Sequence, residues 1–382
     1  MKGRMAVVFA MFLTLHALVN LYIGWQGSIF LEEIAPAVPL GAYWIVFVLI
    51  VYAYLIGRIP VPKPVRPAAR LLKVIGSYYF AVMEFAVLLL PVADLAGWLL
   101  DAAGARPENY VSIAGWGVIG FIALILVWGS RNAWSPVVRH YPVRVDKRVE
   151  GMERLRVVAA SDLHLGNIVG KRHLRRLVER VNALEPDLIL LPGDVIDDSI
   201  EPFVRNRLSD LLRLLKARYG VYAVLGNHEY YGGHIEEYVE RMKEIAIPVL
   251  RDETVAVAGG SVIVAGRKDS TAETADPTGR LSVEKLLEGI DRSKPILLMD
   301  HQPRHFAQAA EAGVDLLLCG HTHRGQFAPN HLLTRRLFEL DWGYMRKAAM
   351  HVVVSSGFGS WGPPIRIASR SEIVQIDMTF SG

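Results

Sequence analysis

Cysteine is almost absent from this sequence, which contains only Cys319 among its 382 residues. A disulfide within the chain is therefore impossible, and no cysteine pair has the spacing of a zinc finger. Cys319 ends the apolar run VDLLLC, which indicates a buried strand residue. The sequence also lacks internal repeats and segments that interleave basic with aromatic residues, so nucleic acid is not an expected partner.

Hydrophobic residues make up 52% of the whole sequence. They are most concentrated in the first third of the chain, where charged side chains are scarce. Runs of about 18 to 20 mostly apolar residues can cross a hydrocarbon core roughly 30 Å thick. We therefore predict a transmembrane region over residues 1–148, followed by a separate domain over residues 149–382. The region is expected to contain about four helices, at residues 5–24, 41–57, 74–93 and 111–129.

The distribution of Lys and Arg predicts how these helices are oriented. Lys2 and Arg4 precede the first run, and further basic residues cluster between the second and third runs and after the fourth. By the positive-inside rule, both termini and the second domain face the cytoplasm, where basic loops contact anionic membrane lipids. We thus expect a multi-pass protein of the cell membrane. A signal peptide is the alternative for the first run, but no small-x-small cleavage site follows it.

The second domain has short Val, Ile and Leu runs separated by amphipathic stretches. Runs such as LRVVAASD, DLILLPGD and VYAVLGNH have the length and composition of buried strands. Stretches such as KRHLRRLVERVNAL and HIEEYVERMKEI place apolar residues at helical spacing with charge on the other face. This alternation predicts an α/β fold with helices packed on a sheet that is parallel in part.

Candidate metal ligands follow nearly every predicted strand. Asp162 and His164 stand two residues apart after the run LRVVAA, so their side chains point to the same side of an extended chain. Taken singly, each such residue is expected to lie in a polar turn, cap a helix or face solvent. Taken together, seven nitrogen and oxygen donors at strand ends indicate a metal site. The set lacks thiolate, which suits Mn, Fe or Zn, and it exceeds what one catalytic ion uses, so two ions are implied. The seven are Asp162, His164, Asp194, Asn227, His301, His321 and His323.

The order DxH, GD, GNHE, H, GHTH resembles that of the calcineurin-like metallophosphoesterase superfamily, over about residues 153 to 378. The segments GHTHRGQ and GFGSWGPPIRIASRSEIVQI are most similar to a bacterial branch that often carries membrane segments. The resemblance implies an αββα-type sandwich that binds two divalent ions. It assigns Asp162, His164 and His323 to one ion, Asn227, His301 and His321 to the other, and Asp194 to both.

The same resemblance implies the catalytic residues. His228 stabilises the transition state and protonates the leaving oxygen, a role that suits an imidazole near neutral pH, and Asn227 next to it is catalytic as well as a ligand. The two ions are implied to activate a water and to neutralise phosphoryl oxygens. The alternative for His228 is a structural residue in a turn.

Two departures from the superfamily pattern bear on the substrate. Phosphoprotein phosphatases follow the GD block with a phosphate-binding Arg, whereas this sequence has Asp197 and Asp198, which repel a dianionic monoester more than a monoanionic diester. Arg324, directly after His323, is a candidate substrate-binding residue, or else a solvated charge at the rim. In GRKDST, Asp269 stands without an assignable role.

These features predict a membrane-anchored, dinuclear-metal hydrolase of phosphodiester or pyrophosphate bonds. A catalytic domain held against a membrane has a raised effective concentration for lipid-linked phosphates, and UDP-linked sugars also fit. One alternative is a cytoplasmic phosphomonoesterase, including a phosphoprotein phosphatase. Another is a non-catalytic membrane sensor, for which lost ligands would be the usual sign, and none is lost.

Overall fold

A computed structural model describes residues 2 to 381, apart from the side chains of residues 2–6, 8, 9 and 109. The side chains of Lys2 and Arg4, which enter the predicted orientation, thus lie outside the described residues. The chain forms two compact units, Met1–Gly129 and Ser130–Gly382. The second unit starts earlier than the boundary expected at residue 148.

Helices cover all four of the predicted apolar runs. They are α1 (Lys2–Ile34), α2 (Leu40–Ile56), α3 (Arg66–Ala102) and α4 (Val111–Trp134), the last of which ends in the second unit. Among the described residues, two helical segments are long and apolar enough to cross a membrane, Lys63–Ala102 and Val111–Trp134, whereas Leu40–Ile56 is shorter. The expected set of four spans is therefore supported only in part.

The strands of the second unit form two six-stranded sheets. The first has the order β1-β12-β2-β3-β4-β5 and the second the order β10-β11-β9-β8-β7-β6. Their bounds are β1 (Val137–Val145), β2 (Arg154–Ala159), β3 (Leu188–Pro192), β4 (Val221–Val224), β5 (Val249–Leu250), β6 (Glu253–Val257), β7 (Val262–Gly266), β8 (Ile296–Met299), β9 (Leu316–Cys319), β10 (Gly343–Lys347), β11 (Met350–Val354) and β12 (Glu372–Phe380).

Nine helices connect these strands in the described part of this unit. They are α5 (Lys171–Asn182), α6 (Ile200–Arg205), α7 (Ser209–Leu212), α8 (Asn227–Gly232), α9 (Ile235–Glu244), α10 (Ala272–Ala275), α11 (Val283–Leu286), α12 (Phe306–Glu311) and α13 (His331–Leu337). In α5, Leu174, Leu177, Val178 and Val181 recur at helical spacing and are all buried, which explains why this stretch forms a helix against a sheet.

The two sheets pack face to face and carry helices on their outer sides. Successive residues of a strand point to opposite faces. Val157 accordingly belongs to the core between the sheets, and Val158 to the core beneath α5 and α9. A third core joins the second sheet to α11 and α12. The predicted α/β fold is confirmed, with two sheets between helical layers.

The pairing of the strands brings many strand ends to one region. β2, β3 and β4 run parallel to one another in the first sheet, as do β7, β8, β9 and β11 in the second. Ligands of open α/β sheets bind beyond the carboxyl ends of such strands. A ligand-binding site is therefore expected at the loops that follow β2, β3, β4, β8 and β9.

Candidate metal centre

Each of these five loops contributes candidate ligands. Asp162 and His164 follow β2, Asp194 follows β3, and Asn227 opens α8 directly after β4. His301 follows β8, and His321 and His323 follow β9. Six of the seven side chains are buried, and the seventh, His321, is largely so. Buried polar side chains in such number need partners, because their desolvation is otherwise costly.

The backbone at this site is held in a rarely used conformation. Positive φ angles between 46° and 72° occur at Asp162, His164, Asp194, His321 and His323. Non-glycine residues adopt this region uncommonly, and it costs free energy that the surrounding structure must supply. Backbone N–H groups of Asp162 and His164 donate to the carbonyls of Gly193 and Asp194 at 3.0 Å and so fix the two loops together. Five such residues in one place indicate a site that is held in shape for a ligand.

The side chains converge on Asp194 and Asp162. Oδ2 of Asp194 lies 3.1 Å from Nε2 of His301 and 3.9 Å from Nε2 of His164. Oδ1 of Asp162 lies 3.4 Å from Nε2 of His323, which is itself 3.0 Å from Nε2 of His164. Among the described residues, four groups of three have ligand atoms within 4.8 Å of one another. Three of them contain Asp162 or Asp194: Asp162, His164 and His323; Asp162, Asp194 and His301; and His164, Asp194 and His228. The fourth is Asp197, Asp198 and His228.

The remaining two candidates pair with each other. Nδ1 of His321 lies 2.8 Å from Oδ1 of Asn227, and the imidazole of His321 is 5.2 Å from that of His301. The backbone N–H of His321 donates to Oδ1 of Asp162 at 2.9 Å, so this loop also reaches the other group. All seven predicted ligands are thus brought together.

Several ligand atoms have no hydrogen-bond partner among the described residues. They include Oδ2 of Asp162 and Nε2 of His301, and the second lies near Asp194 without the alignment of a hydrogen bond. Each is a lone-pair donor in a buried position, where an unpaired polar atom is expensive. Imidazole nitrogens and carboxylate oxygens without thiolate suit borderline or hard divalent ions. The residues present therefore fit a divalent metal centre.

The charge states of these groups also suit metal binding. Burial lowers the pKa of His164 to about 3 and that of His321 to about 4, so both imidazoles are neutral at pH 7 and their lone pairs are available. Burial raises the pKa of Asp162 to about 6, which still leaves it ionised at pH 7. Asp194 differs, because the neighbouring His301 and His164 outweigh burial and hold its pKa below its usual range.

His228 lies beside this cluster and has a different set of contacts. Its Nδ1 is 2.7 Å from Oδ1 of Asp198, and its ring meets that of His164 edge to face at 4.7 Å. Its backbone N–H donates to Oδ1 of Asp194 at 3.0 Å. Burial opposes a charge on His228, but the hydrogen bond to Asp198 and the nearby carboxylates prevail and raise its pKa to about 9. The imidazole is therefore a proton donor next to the ligand cluster.

Arg324, the candidate for substrate binding, does not point at the cluster. Its guanidinium lies 4.0 Å from the ring centroid of Trp342, and the guanidinium of Arg139 lies 5.4 Å from the same centroid. In the described part of the chain, no hydrogen bond or ion pair joins the Arg324 guanidinium to a candidate ligand. The stacking fixes a positive charge one residue after His323, at the rim of the centre.

Two residues that shape the centre were not predicted. Glu229 is buried, and its carboxylate accepts from the backbone N–H groups of Gly226 at 2.7 Å, Ile196 at 3.0 Å and Asp194 at 3.2 Å. It thus binds the loop after β3 to the loop after β4. Its position three residues after the N-cap Gly226 is that of the glutamate in a capping box, although glycine has no side chain to complete the box.

Arg366 is the second unpredicted residue. It is fully buried, donates to the carbonyls of Ser356 at 2.7 Å and Gly359 at 2.5 Å, and lies 3.2 Å from Nδ1 of His323. Burial lowers its pKa to about 10, so it remains charged at pH 7. Its contact with the centre could not be predicted from spacing, because His323 lies 43 residues before it.

Asp269, which had no assignable role, lies buried behind His301. Its Oδ1 accepts from Nε2 of Gln302 at 3.1 Å and from the backbone N–H of Thr271 at 2.8 Å. Asp269 thus links the side chain of Gln302, the residue directly after His301, to the loop at Thr271.

Comparison with known proteins agrees with this geometry. Residues 155–325 match the family model of the calcineurin-like phosphoesterases. A transmembrane protein with metallophosphoesterase domain from Danio rerio is 35% identical over 66% of this chain, and the match spans 60% of that relative's length. Uncharacterized metallophosphoesterases from Helicobacter pylori strain J99 and Aquifex aeolicus are 33% and 31% identical, over 68% and 69% of this chain and 69% and 99% of their own lengths.

Proposed function

This chain belongs to the calcineurin-like phosphoesterase family, and on that premise we propose that it is a membrane-anchored hydrolase of phosphodiester or pyrophosphate bonds. The observation that carries the proposal is the position of Asp194, whose carboxylate lies between His164 and His301. A single carboxylate between two sets of nitrogen and oxygen donors is what a pair of divalent ions requires.

We assign the ligands to two ions of the Mn, Fe or Zn type. One set consists of Asp162, His164 and His323, the other of Asn227, His301 and His321, and Asp194 belongs to both. When bound, the two ions would supply an activated water and neutralise charge on the phosphoryl oxygens. Burial of the set excludes bulk water, which strengthens each electrostatic contact.

The protein's own proton chemistry centres on His228. With Nδ1 held by Asp198, Nε2 is the nitrogen left to donate a proton to the leaving oxygen. Asn227, which precedes it, holds the same loop to His321. The raised pKa of His228, about 9, keeps the imidazole protonated at neutral pH, as a general acid must be.

The charge around His228 favours a substrate whose phosphoryl group carries little negative charge. The side chains of Asp197 and Asp198 are 21% and 32% exposed, and both lie within 3.9 Å of the imidazole. Two carboxylates there repel a dianionic monoester more than a monoanionic diester. Diesters and pyrophosphates are therefore the proposed class, with lipid-linked phosphates and UDP-sugars as members of it. Arg324 at the rim is the proposed contact for a phosphoryl oxygen.

The membrane part of the proposal rests on the apolar helices and on the Lys and Arg distribution. We propose that α1 to α4 all cross the bilayer, so that both termini and the catalytic unit are cytoplasmic. Two of these helices satisfy the length and composition expected of a span. A unit tethered in this way meets lipid-linked substrates at a raised local concentration.

An activity screen of the detergent-solubilised full chain tests the proposal. The chain would be loaded with Mn and assayed with bis(p-nitrophenyl) phosphate, p-nitrophenyl phosphate and a UDP-sugar. We expect about two metal ions per chain and faster hydrolysis of the diester or pyrophosphate than of the monoester. Faster turnover of the monoester would overturn the assigned substrate class, and absence of activity from a metal-loaded chain on all three would favour a sensor.

A further inference from the structure

Helix α13 presents an apolar surface that the catalytic unit itself does not cover. Leu332, Leu333 and Leu337 are 55%, 59% and 66% exposed, and no residue of this helix is buried. We call these three side chains the leucine face. Leu333 and Leu337 are four residues apart and lie on the same side of the helix, with Leu332 beside them.

The leucine face stands out from the rest of the catalytic unit. Of the eight large hydrophobic side chains that are exposed between residues 130 and 381, three belong to this seven-residue helix. Helices α5 and α9, by contrast, bury their apolar residues against the sheet. Scattered exposed hydrophobic residues are ordinary, whereas a contiguous group marks an interaction surface.

The leucines are not needed to hold α13 in place. The hydroxyl of Thr334 donates to Oδ2 of Asp341 at 2.7 Å. Phe338 comes directly after the helix, and its ring centroid lies 6.1 Å from that of His321. The guanidinium of Arg304 lies 5.4 Å from the Phe338 ring centroid. The helix is therefore attached through its polar side and its C-terminal end, and the leucines are left for another contact.

The charge around the leucine face is positive. Arg335 and Arg336 are both exposed, and neither forms an ion pair with a residue in the described part of the chain. No acidic residue occurs from Pro329 to Phe338, and the carboxylate that follows, Glu339, is neutralised by Lys347 at 2.6 Å. Apolar side chains next to unpaired arginines match the interface of an anionic bilayer, where acyl chains and phosphate groups lie side by side.

We propose that α13 is an interfacial helix that docks the catalytic unit on an anionic lipid surface. The leucine face enters the boundary of the acyl chains, and Arg335 and Arg336 contact lipid phosphates. Because Phe338 touches His321 and the helix begins eight residues after His323, docking holds the metal centre next to the membrane surface. The inference does not depend on the proposed hydrolytic activity, and its test has no catalytic readout.

The test uses the full chain, one copy per lipid nanodisc, with a fluorophore on Leu333→Cys. Native Cys319 is buried and gives no competing label. Leu214→Cys is the matched control, because Leu214 is 51% exposed in the same unit and lies outside α13. Brominated phosphatidylglycerol in the disc should quench the label at position 333 much more than the label at position 214.

A second variant tests the role of charge. In Arg335→Glu, Arg336→Glu the docked population should fall relative to the undocked one by about 25-fold or more, since each arginine near an anionic surface contributes about fivefold. Equal quenching at positions 333 and 214 would overturn the proposal. So would a label at position 333 that is shielded from water-soluble quenchers and not reached by brominated lipid, which would indicate a protein partner.

Discussion

Nδ1 of His228 lies 2.7 Å from Oδ1 of Asp198 and 3.9 Å from Oδ1 of Asp197. Of the two consecutive carboxylates, only that of Asp198 is within hydrogen-bond distance. It orients the imidazole and stabilises its protonated form, whereas Asp197 acts on it through charge alone. The two residues can therefore be separated by experiment.

Asp198→Asn should move the alkaline limb of the pH–rate profile to lower pH. The carboxylate is the main group that raises the pKa of His228 to about 9 against the opposing effect of burial. Without its charge the pKa falls, and since a general acid acts only while protonated, activity is lost at lower pH than before. At pH 8 the rate should fall by about tenfold. Asp197→Asn, the matched control, should shift the limb less; equal shifts would contradict the assigned hydrogen bond.

Asp194→Ala and His228→Ala should separate metal assembly from proton transfer. Removing Asp194 takes away the ligand shared by both ions, so metal content and activity should both be lost. His228→Ala should keep its metal and slow turnover by about 10² to 10⁴, less for substrates with good leaving groups such as nitrophenolate. Metal analysis and rates on two substrates of differing leaving-group pKa measure this. A His228 variant that loses metal, or is equally slow on both substrates, would place this imidazole among the ligands or in the phosphate contact.

The positions of the candidate ligands were predictable because each one follows a run of buried strand residues. Patterns of continuous Val, Ile and Leu located β2, β3, β4, β7, β8, β9 and β11. The edge strand β1 was missed, since Pro142 interrupts its alternation; a proline is tolerated there because an edge strand needs fewer ladder hydrogen bonds. Its partner β12 lies in a segment whose resemblance to a family was recognised, but whose pattern was not interpreted as a strand.

Sequence patterns also failed where local backbone geometry overrides periodicity. The apolar spacing of VRNRLSDLLRLLKA, residues 204–217, predicts one helix, and the structure has α6 and α7 instead, because Arg207 adopts a positive φ of 50° between them. Arg366 reaches His323 from 43 positions away, a contact that no spacing rule predicts. Sequence patterns thus located the candidate ligands, whereas the residues that support them became visible only with the fold.

His173 should make the stability of the protein sensitive to mild acid. Its ring stacks on that of Phe358, with 4.2 Å between the ring centroids, and packs edge to face against Trp134, with 5.0 Å between the centroids. Burial lowers the pKa of His173 to about 4. The unfolded chain binds the proton more readily, so the stabilisation is complete above about pH 6.5 and decreases as the pH falls towards 4. The loss is roughly 3 kcal/mol at most.

His173→Phe should flatten this dependence, because the substituted ring does not titrate. Melting temperatures of the detergent-solubilised chain at pH 7.5 and pH 5, with metal present, provide the measurement. The drop between the two pH values should be smaller for the variant than for the native chain. An equal drop would show that groups other than His173 govern the acid sensitivity.

Reporter fusions should establish the topology. A reporter placed after residue 150 is expected to behave as cytoplasmic, and one placed between residues 94 and 109 as external. The reason is that Lys and Arg are concentrated after the fourth apolar run and are scarce between residues 94 and 109. In the structure residues 94–102 still belong to α3, and the connection between α3 and α4 comprises residues 103–110. Activity of the first reporter only outside the cell would reverse the orientation and favour a signal peptide at the N-terminus.

Gly226 and Gly170 offer a matched test of how tightly Asp194 is held. Both precede a helix in nearly the same backbone conformation, with φ and ψ of −106° and −172° at Gly226 and −116° and −164° at Gly170. Any residue adopts these angles, so alanine brings no backbone strain at either position. Their surroundings differ. A Cβ at Gly226 would lie 2.2 Å from Oδ1 of Asp194, whereas one at Gly170 meets no atom within 4 Å.

Gly226→Ala should therefore displace the carboxylate of Asp194 and lose metal and activity together, while Gly170→Ala keeps both. A displacement of about 1 Å at a catalytic group commonly costs 10²-fold in rate, and we expect at least that loss for Gly226→Ala. Metal content by mass spectrometry and kcat/KM for a diester would be compared between the two variants. If Gly226→Ala retained metal and rate as Gly170→Ala does, the carboxylate of Asp194 could move without consequence, and its assignment as the ligand shared by both ions would be wrong.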